Sequence, residues 1–184
     1  DEKDMEEYYE KIKDVYLKIF HEIGLDVYMT EASGGSFTKT HSHEFQALAE
    51  NGEDTIFVCE TCKLACNKEV ICHSALDAES RDGIDSRFRG NDKKIGNDND
   101  GSGMTKCDKC SAELIEKRSI EVGNIFKLGT KFSEALGLNY GDKDGKLKPV
   151  IMASYGIGTA RTMGAVAEIL SDEKGLVWPE TIAP

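Results

Sequence analysis

The run Gly156-Ile157-Gly158-Thr159-Ala160-Arg161 narrows the architecture of this chain more than any other stretch. It joins a strand-like apolar run, Val150 to Tyr155, to a helix-patterned stretch, Thr162 to Leu170. Two glycines at a strand-to-helix turn let backbone approach a ligand closely, and the helix N-terminus behind them favours negative charge. A dinucleotide fingerprint carries Gly or Ala at its sixth position so that the helix packs tightly on the sheet. Here the sixth position is Arg161, a long cation one turn inside the helix and placed to reach over a bound phosphate. The combination points to a nucleoside triphosphate more than to NAD.

The 184-residue chain is long enough for one ordinary domain with its own core. Its net charge of -11 argues against a general nucleic-acid surface, which needs clustered Lys and Arg. No apolar run is long enough to span a bilayer and no secretory leader is visible, so a cytoplasmic protein without membrane contact is expected. Both ends read as cut. The chain begins inside an acidic helical pattern with no capping lead-in, and Trp178 to Pro184 reads as the start of a connection to something else.

Ile12, Val15, Ile19 and Ile23 recur at helical spacing, which predicts a helix over Met5 to Ile23 with Tyr9, Tyr16 and Phe20 widening its apolar face. Leu25 to Met29, Ile56 to Val58, Ser119 to Leu128 and the Val150 run read as strands. Glu31 to Phe45 reads as a polar loop, Phe132 to Leu136 as a helical turn, and Asp142 to Gly145 as a hairpin turn. Residues 74–105 are rich in Asp, Asn, Gly, Arg and Ser, and bury too little to offset their ordering entropy. They read as a flexible insertion resembling translated repetitive DNA, dividing a first part, 1–73, from a second, 106–184. The fold class expected is α+β, with a largely antiparallel sheet and flanking helices.

Cys59-x2-Cys62 and Cys107-x2-Cys110 are two pairs at zinc-ribbon spacing. Each pair can sit on a tight turn that aims both thiolates at one ion, and two such turns complete a tetrahedral, structural Zn²⁺ site. A redox pair or a vestigial site are the alternatives. Cys66 and Cys72 read as plain structural cysteines.

Several elements occur in series: Gly34-Gly35-Ser36, Ser42-His43-Glu44-Phe45, the first cysteine pair, Ile120-Glu121-Val122-Gly123-Asn124-Ile125-Phe126-Lys127-Leu128-Gly129-Thr130-Lys131, then Tyr155 to Arg161 and Trp178 to Pro184. Together they resemble the bacterial-type prolyl-tRNA synthetases, a class II aminoacyl-tRNA synthetase family, over nearly the whole chain except residues 74–103. The resemblance implies an incomplete class II-like antiparallel sheet flanked by helices, with a small zinc-ribbon-like cysteine element. It implies that proline and ATP, with Mg²⁺, give prolyl-adenylate, and that the prolyl group then passes to tRNA(Pro). By the same match Gly156 and Gly158 line the adenine and ribose side, Arg161 contacts the γ-phosphate and helps cover the adenine, and Glu121 lies near ATP and Mg²⁺. Ser42 to Phe45, Thr130 and Ser154 match positions lining the amino-acid end, with His43 and Glu44 orienting the imino group and Phe45 walling the ring.

Departures from the common family form are Asn124 for a histidine, Lys127 for a glutamine and Ser154 for a cysteine. The interval between the cysteine pairs is too short for the family's editing domain, so no editing is expected. The first two class II motifs and an anticodon-binding domain are missing from the sequence. The chain is therefore expected to be a catalytic-core piece, inactive alone and part of a homodimer at full length. Two rival readings use other features: a zinc-ribbon binding module without catalysis, and half of a dinucleotide-binding oxidoreductase with Glu180 as its ribose acid.

Overall fold

The structure, a computed structural model, describes residues 1–38, 42–68, 106–107 and 109–183. The insertion expected at 74–105, like Cys72, lies outside these residues. Helix α1 spans Glu2–Glu22. Its first turn is capped after all: the Asp4 N–H donates to Asp1 Oδ1 at 2.9 Å, and Glu2 and Asp4 suit the helix dipole. Tyr9, Lys13, Tyr16 and Phe20 form its buried stripe, while Ile12, Val15, Ile19 and Ile23, which carry the period in the sequence, lie half-buried beside it. The helix stops at Gly24, where φ is +80° and a Cβ would meet Pro179 Cγ at 2.8 Å. Only glycine satisfies both conditions.

The strands are β1 (Val27–Ala32), β2 (Ser42–Leu48), β3 (Asp54–Cys59), β4 (Leu64–Asn67) and the long β5 (Ile115–Gly129). Helix α2 (Lys131–Leu136) and the hairpin β6 (Asn139–Gly141) and β7 (Leu147–Pro149) lead to β8 (Met152–Ile157). Helix α3 (Thr159–Leu170) and a short hairpin, β9 (Ser171–Asp172) with β10 (Gly175–Leu176), follow. Among the described residues, no helix is long and apolar enough to cross a membrane.

In the main sheet β5 is antiparallel to β8, to β2 and, through its first residues, to β3. The pairs β1–β2 and β3–β4 are antiparallel too, whereas β1 touches β4 in parallel at Thr30 and Glu31. These pairings close a ring through β1, β2, β5, β3 and β4, and β8 extends the sheet along the second half of β5. Most element boundaries shift by a few residues from expectation, and three shifts bear on the site. Residues Ser42 to Phe45 belong to a strand and not to a loop, β1 runs on to Ala32, and β8 starts at Met152.

Side chains alternate across a strand, so one face of β2 and β5 carries His43, Phe45 and Ile125 and the other carries Glu44, Gln46 and Asn124. The first face is covered by α1 and α3. Tyr9, Tyr16, Phe20, Phe45, Ile125, Ala165 and Val166 pack there in one cluster. Burying a large apolar side chain of this kind stabilises by ~1.5–3 kcal/mol, so this face supplies much of the folding energy. A smaller cluster of Tyr28, Ile56, Val58 and Ala65 fills the ring. That division leaves the polar face of β5 and β8 available for ligands.

Candidate functional site

The Gly156 turn is built by backbone contacts to β5. Gly158 caps α3 and its N–H donates to the Val122 carbonyl at 3.1 Å, while Thr162 N–H donates to the Gly158 carbonyl at 2.7 Å. Thr162 Oγ1 reaches the same Val122 carbonyl at 3.5 Å. Strand β8 enters the turn antiparallel to β5, and α3 leads into the β9–β10 hairpin. A dinucleotide site needs a parallel strand–helix–strand unit at this point, and the chain does not form one here.

From the first turn of α3, Arg161 reaches back over β5. Its Nη1 lies 3.5 Å from Glu121 Oε2, 3.4 Å from the Glu121 carbonyl and 3.3 Å from Glu53 Oε1. The arginine side chain is half exposed, and exposed pairs of this kind contribute ~0–1 kcal/mol. Such weak anchoring leaves the guanidinium free to exchange its carboxylates for an anionic ligand. Glu121 is held on its other side by Asn124, whose Nδ2 donates to Oε1 at 2.8 Å.

Beside this pair lies a second carboxylate in an unusual state. Glu44 Oε2 accepts from Gln46 Nε2 at 3.1 Å and from Asn67 Nδ2 at 3.2 Å, and the Gln46 amide also donates to Asp54 at 3.1 Å. Burial, with Glu121 and Asp54 adding like charge, pushes the Glu44 carboxyl up to about 7. Its folded value lies above its ordinary 4.5, so the penalty for ionising it grows as pH rises from 4.5 to about 7 and is constant above that. A displacement of this size corresponds to about 3 kcal/mol. Glu44→Gln is therefore expected to raise the thermal midpoint at pH 8 and leave it little changed at pH 4.5. Melting curves across that range check it, and an unaltered pH dependence would show that Glu44 is not the group responsible.

The residues expected at the amino-acid end do not gather in one place. His43 and Phe45 point to the helix-covered face. Phe45 is fully buried, with its ring 4.9 Å from that of Tyr16 and 5.7 Å from that of Phe20, so it is a core residue and not the wall of an open pocket. His43 Nδ1 lies 2.9 Å from the Tyr9 hydroxyl, which donates to the Ile125 carbonyl at 3.0 Å. With its one proton given to the carbonyl, Tyr9 accepts from an Nδ1–H tautomer of His43. Burial pushes the Tyr9 phenol well above its usual range, so it stays neutral. The network ties α1 to the sheet.

Thr130 heads α2 immediately after β5, and Ser154 is exposed on β8 opposite Phe126. Nearby, the Phe37 ring packs 5.3 Å from Phe126 and 6.4 Å from Phe132, giving the open face an aromatic patch. Lys127 lies elsewhere. It pairs with Glu6 of α1 and sits 4.7 Å from the Tyr9 ring centre, so this cation clamps a helix.

The four expected cysteines do converge. The thiols of Cys59, Cys62, Cys107 and Cys110 all lie within 4.8 Å of one another, with Cys59 and Cys110 at 3.5 Å. Tetrahedral thiolates around zinc sit about 3.8 Å apart, so the set fits one ion. Each pair is followed by a non-glycine residue in the left-handed region, Lys63 at φ 54° and Ser111 at φ 59°. Cys62 N–H donates to Cys59 Sγ at 3.4 Å, and Ser111 N–H to the Cys107 carbonyl at 2.7 Å. Hydrogen bonding with the Cys110 thiol pushes Cys62 up to about 12, the behaviour of crowded thiols that a bound cation reverses. Cys66 is separate, buried, and directed at the Phe57 carbonyl.

Sequence reasoning missed Glu53, Gln46 and Asp54. Glu53 lies outside the strands, one residue before β3, with no pattern to mark it. Gln46 and Asp54 point to the inward side of their strands among the apolar Leu48, Ile56 and Val58, where a polar residue reads from sequence as solvent-facing.

The family model for the tRNA synthetase class II core domain (G, H, P, S and T) matches residues 1–170. A proline–tRNA ligase of Sulfurimonas denitrificans is 38% identical over 182 residues, covering 99% of this chain and 40% of that protein. One from Agrobacterium fabrum is 35% identical over 184 residues, 96% of this chain and 39% of its own length. One from Fervidobacterium nodosum is 58% identical over 78 residues, 42% of this chain and 14% of that protein. The chain thus spans about 40% of the length of the relatives that match it from end to end.

Proposed function

We propose, for a chain that belongs to the tRNA synthetase class II core family, that it forms part of the active site of a proline–tRNA ligase. Its open sheet face then binds ATP and proline. The observation carrying this reading is the convergence of Arg161 and Glu121, 3.5 Å apart, on a glycine turn fed by a strand antiparallel to its neighbour. A permanently charged, planar guanidinium stabilises triphosphate charge and can stack on a flat base. Glu121 supplies a carboxylate for Mg²⁺, a hard cation that takes oxygen ligands beside phosphates.

In the reaction, the proline carboxylate attacks the α-phosphorus and pyrophosphate leaves. A hydroxyl of the terminal adenosine of tRNA(Pro) then attacks the adenylate carbonyl, the prolyl ester forms as AMP leaves, and the hydroxyl proton is lost to the departing phosphate or to water. These steps depend mainly on positioning and charge stabilisation. Arg161 neutralises the departing phosphates, and Gly156 and Gly158 admit the adenosine. Glu44, Thr130 and Ser154 are assigned to the amino-acid end. His43 supports that end from behind the sheet through Tyr9, and Phe45 from the core. The four thiolates hold a structural zinc ion, with no position left open for a catalytic water. The assembled enzyme is expected to be a cytoplasmic homodimer.

Calorimetric titration of the chain separates this reading from its rivals. Saturable heat with Mg·ATP, absent in Arg161→Ala, and silence with NAD are the expected results. Binding of NAD instead, or ATP binding indifferent to Arg161, would overturn the assignment.

A further inference from the structure

We propose that Asn124 is a positioning residue of the nucleotide site, holding Glu121 so that its outer oxygen stays turned toward Arg161. This rests on the reading of the open face as an ATP site. Residues three apart on a regular strand point to opposite faces, yet Asn124 and Glu121 meet. A bulge makes that possible: Phe45 faces Gly123 and Gln46 faces Glu121, which leaves Val122 as the extra residue on β5. The same Val122 carbonyl anchors Gly158 and Thr162, so the bulge that brings the two side chains together also fixes the glycine turn.

The division of labour follows from donor chemistry. An amide has two N–H donors and no charge, so at 2.8 Å from Oε1 it fixes the carboxylate while leaving Oε2 for a cation. Oε2 is the atom facing Arg161 at 3.5 Å. Gly156 completes the arrangement. It lies directly opposite Asn124 in the β5–β8 pair, and a Cβ placed there would stand 3.1 Å from Asn124 Oδ1. The bare Gly156 is thus the seat of the Asn124 amide, a role separate from admitting a nucleotide.

The test is Mg·ATP affinity, by calorimetry, in wild type, Asn124→Ala, Asn124→His, Gly156→Ala and the Asn124→Ala/Gly156→Ala pair, each verified folded by circular dichroism. Asn124→Ala should weaken binding about tenfold, the size of one charge-assisted hydrogen bond. Asn124→His, which restores an N–H donor, should recover most of that loss, whereas a residue serving packing alone would not be rescued so. Gly156→Ala should weaken binding more when Asn124 is present than in its absence, the excess being the part owed to the amide's seat. Unchanged affinity in Asn124→Ala, or an equal Gly156→Ala effect in both backgrounds, overturns the positioning role while ATP binding by wild type keeps the site reading intact. A wild type that never saturates with Mg·ATP removes the site reading, and this proposal with it.

Discussion

Replacing Arg161 with alanine is expected to reduce proline-dependent exchange of pyrophosphate into ATP by about 10²- to 10³-fold, the scale of losing one preorganised charge donor. Because the chain spans about 40% of its relatives, the assay uses the Sulfurimonas denitrificans protein with this chain grafted in place of the matching segment. The loss should fall on nucleotide binding and chemistry and spare the fold. Arg161 is half exposed and its ion pairs with Glu53 and Glu121 are too solvated to hold the fold, so folding stability should change by less than about 1 kcal/mol. Arg161→Lys should recover part of the rate, since an ammonium supplies charge without the planar fork that meets phosphate oxygens in pairs. An alanine variant that exchanges normally would remove the arginine from the mechanism.

Stripping metal from the cysteine cluster, or making Cys107→Ser, is expected to lower the thermal midpoint by about 10 °C. The estimate starts from an ion held ~1,000-fold above its dissociation constant, which contributes ~4 kcal/mol. In a chain of this size ~1 kcal/mol moves the midpoint by ~2–4 °C. The position of the cluster says where the damage falls. Cys59 ends β3 and Cys62 lies in the β3–β4 turn, whereas Cys107 and Cys110 lead into β5, whose first residues pair with β3. Loss of the ion should therefore speed hydrogen exchange in β3, β4 and the beginning of β5 and spare β8 and α3. A midpoint unmoved by chelation would show that the thiols pack without a metal.

The parts of this fold that were legible in the sequence are those whose burial leaves a period. Helix α1 shows in Ile12, Val15, Ile19 and Ile23, and the two cysteine pairs announce their meeting by spacing alone. Strand β2 was hidden because both of its faces are occupied. Phe45 and Ala47 enter the apolar core, but Glu44 and Gln46 enter a polar one, so no contrast between buried and exposed remains to be read. The same parity explains why Phe45, standing beside residues of the expected site, belongs to the core instead.

The bulge at Val122 was equally invisible. A single extra residue reverses the faces downstream of it, and only the partner strand reveals the shift. The parallel contact of β1 with β4 and the approach of Glu53 to Arg161 join segments distant in sequence, with nothing local to mark them.

The most direct measurement is hydrogen exchange of the chain with and without Mg·ATP. If the open face of β5 and β8 receives a triphosphate beside Arg161, nucleotide should slow exchange at Glu121 to Asn124 and from Gly156 through the first turn of α3. Protection should be absent from the cysteine turns. Slowing confined to the cleft between Tyr8, Tyr140 and Tyr155, or none anywhere at saturating nucleotide, would contradict the account.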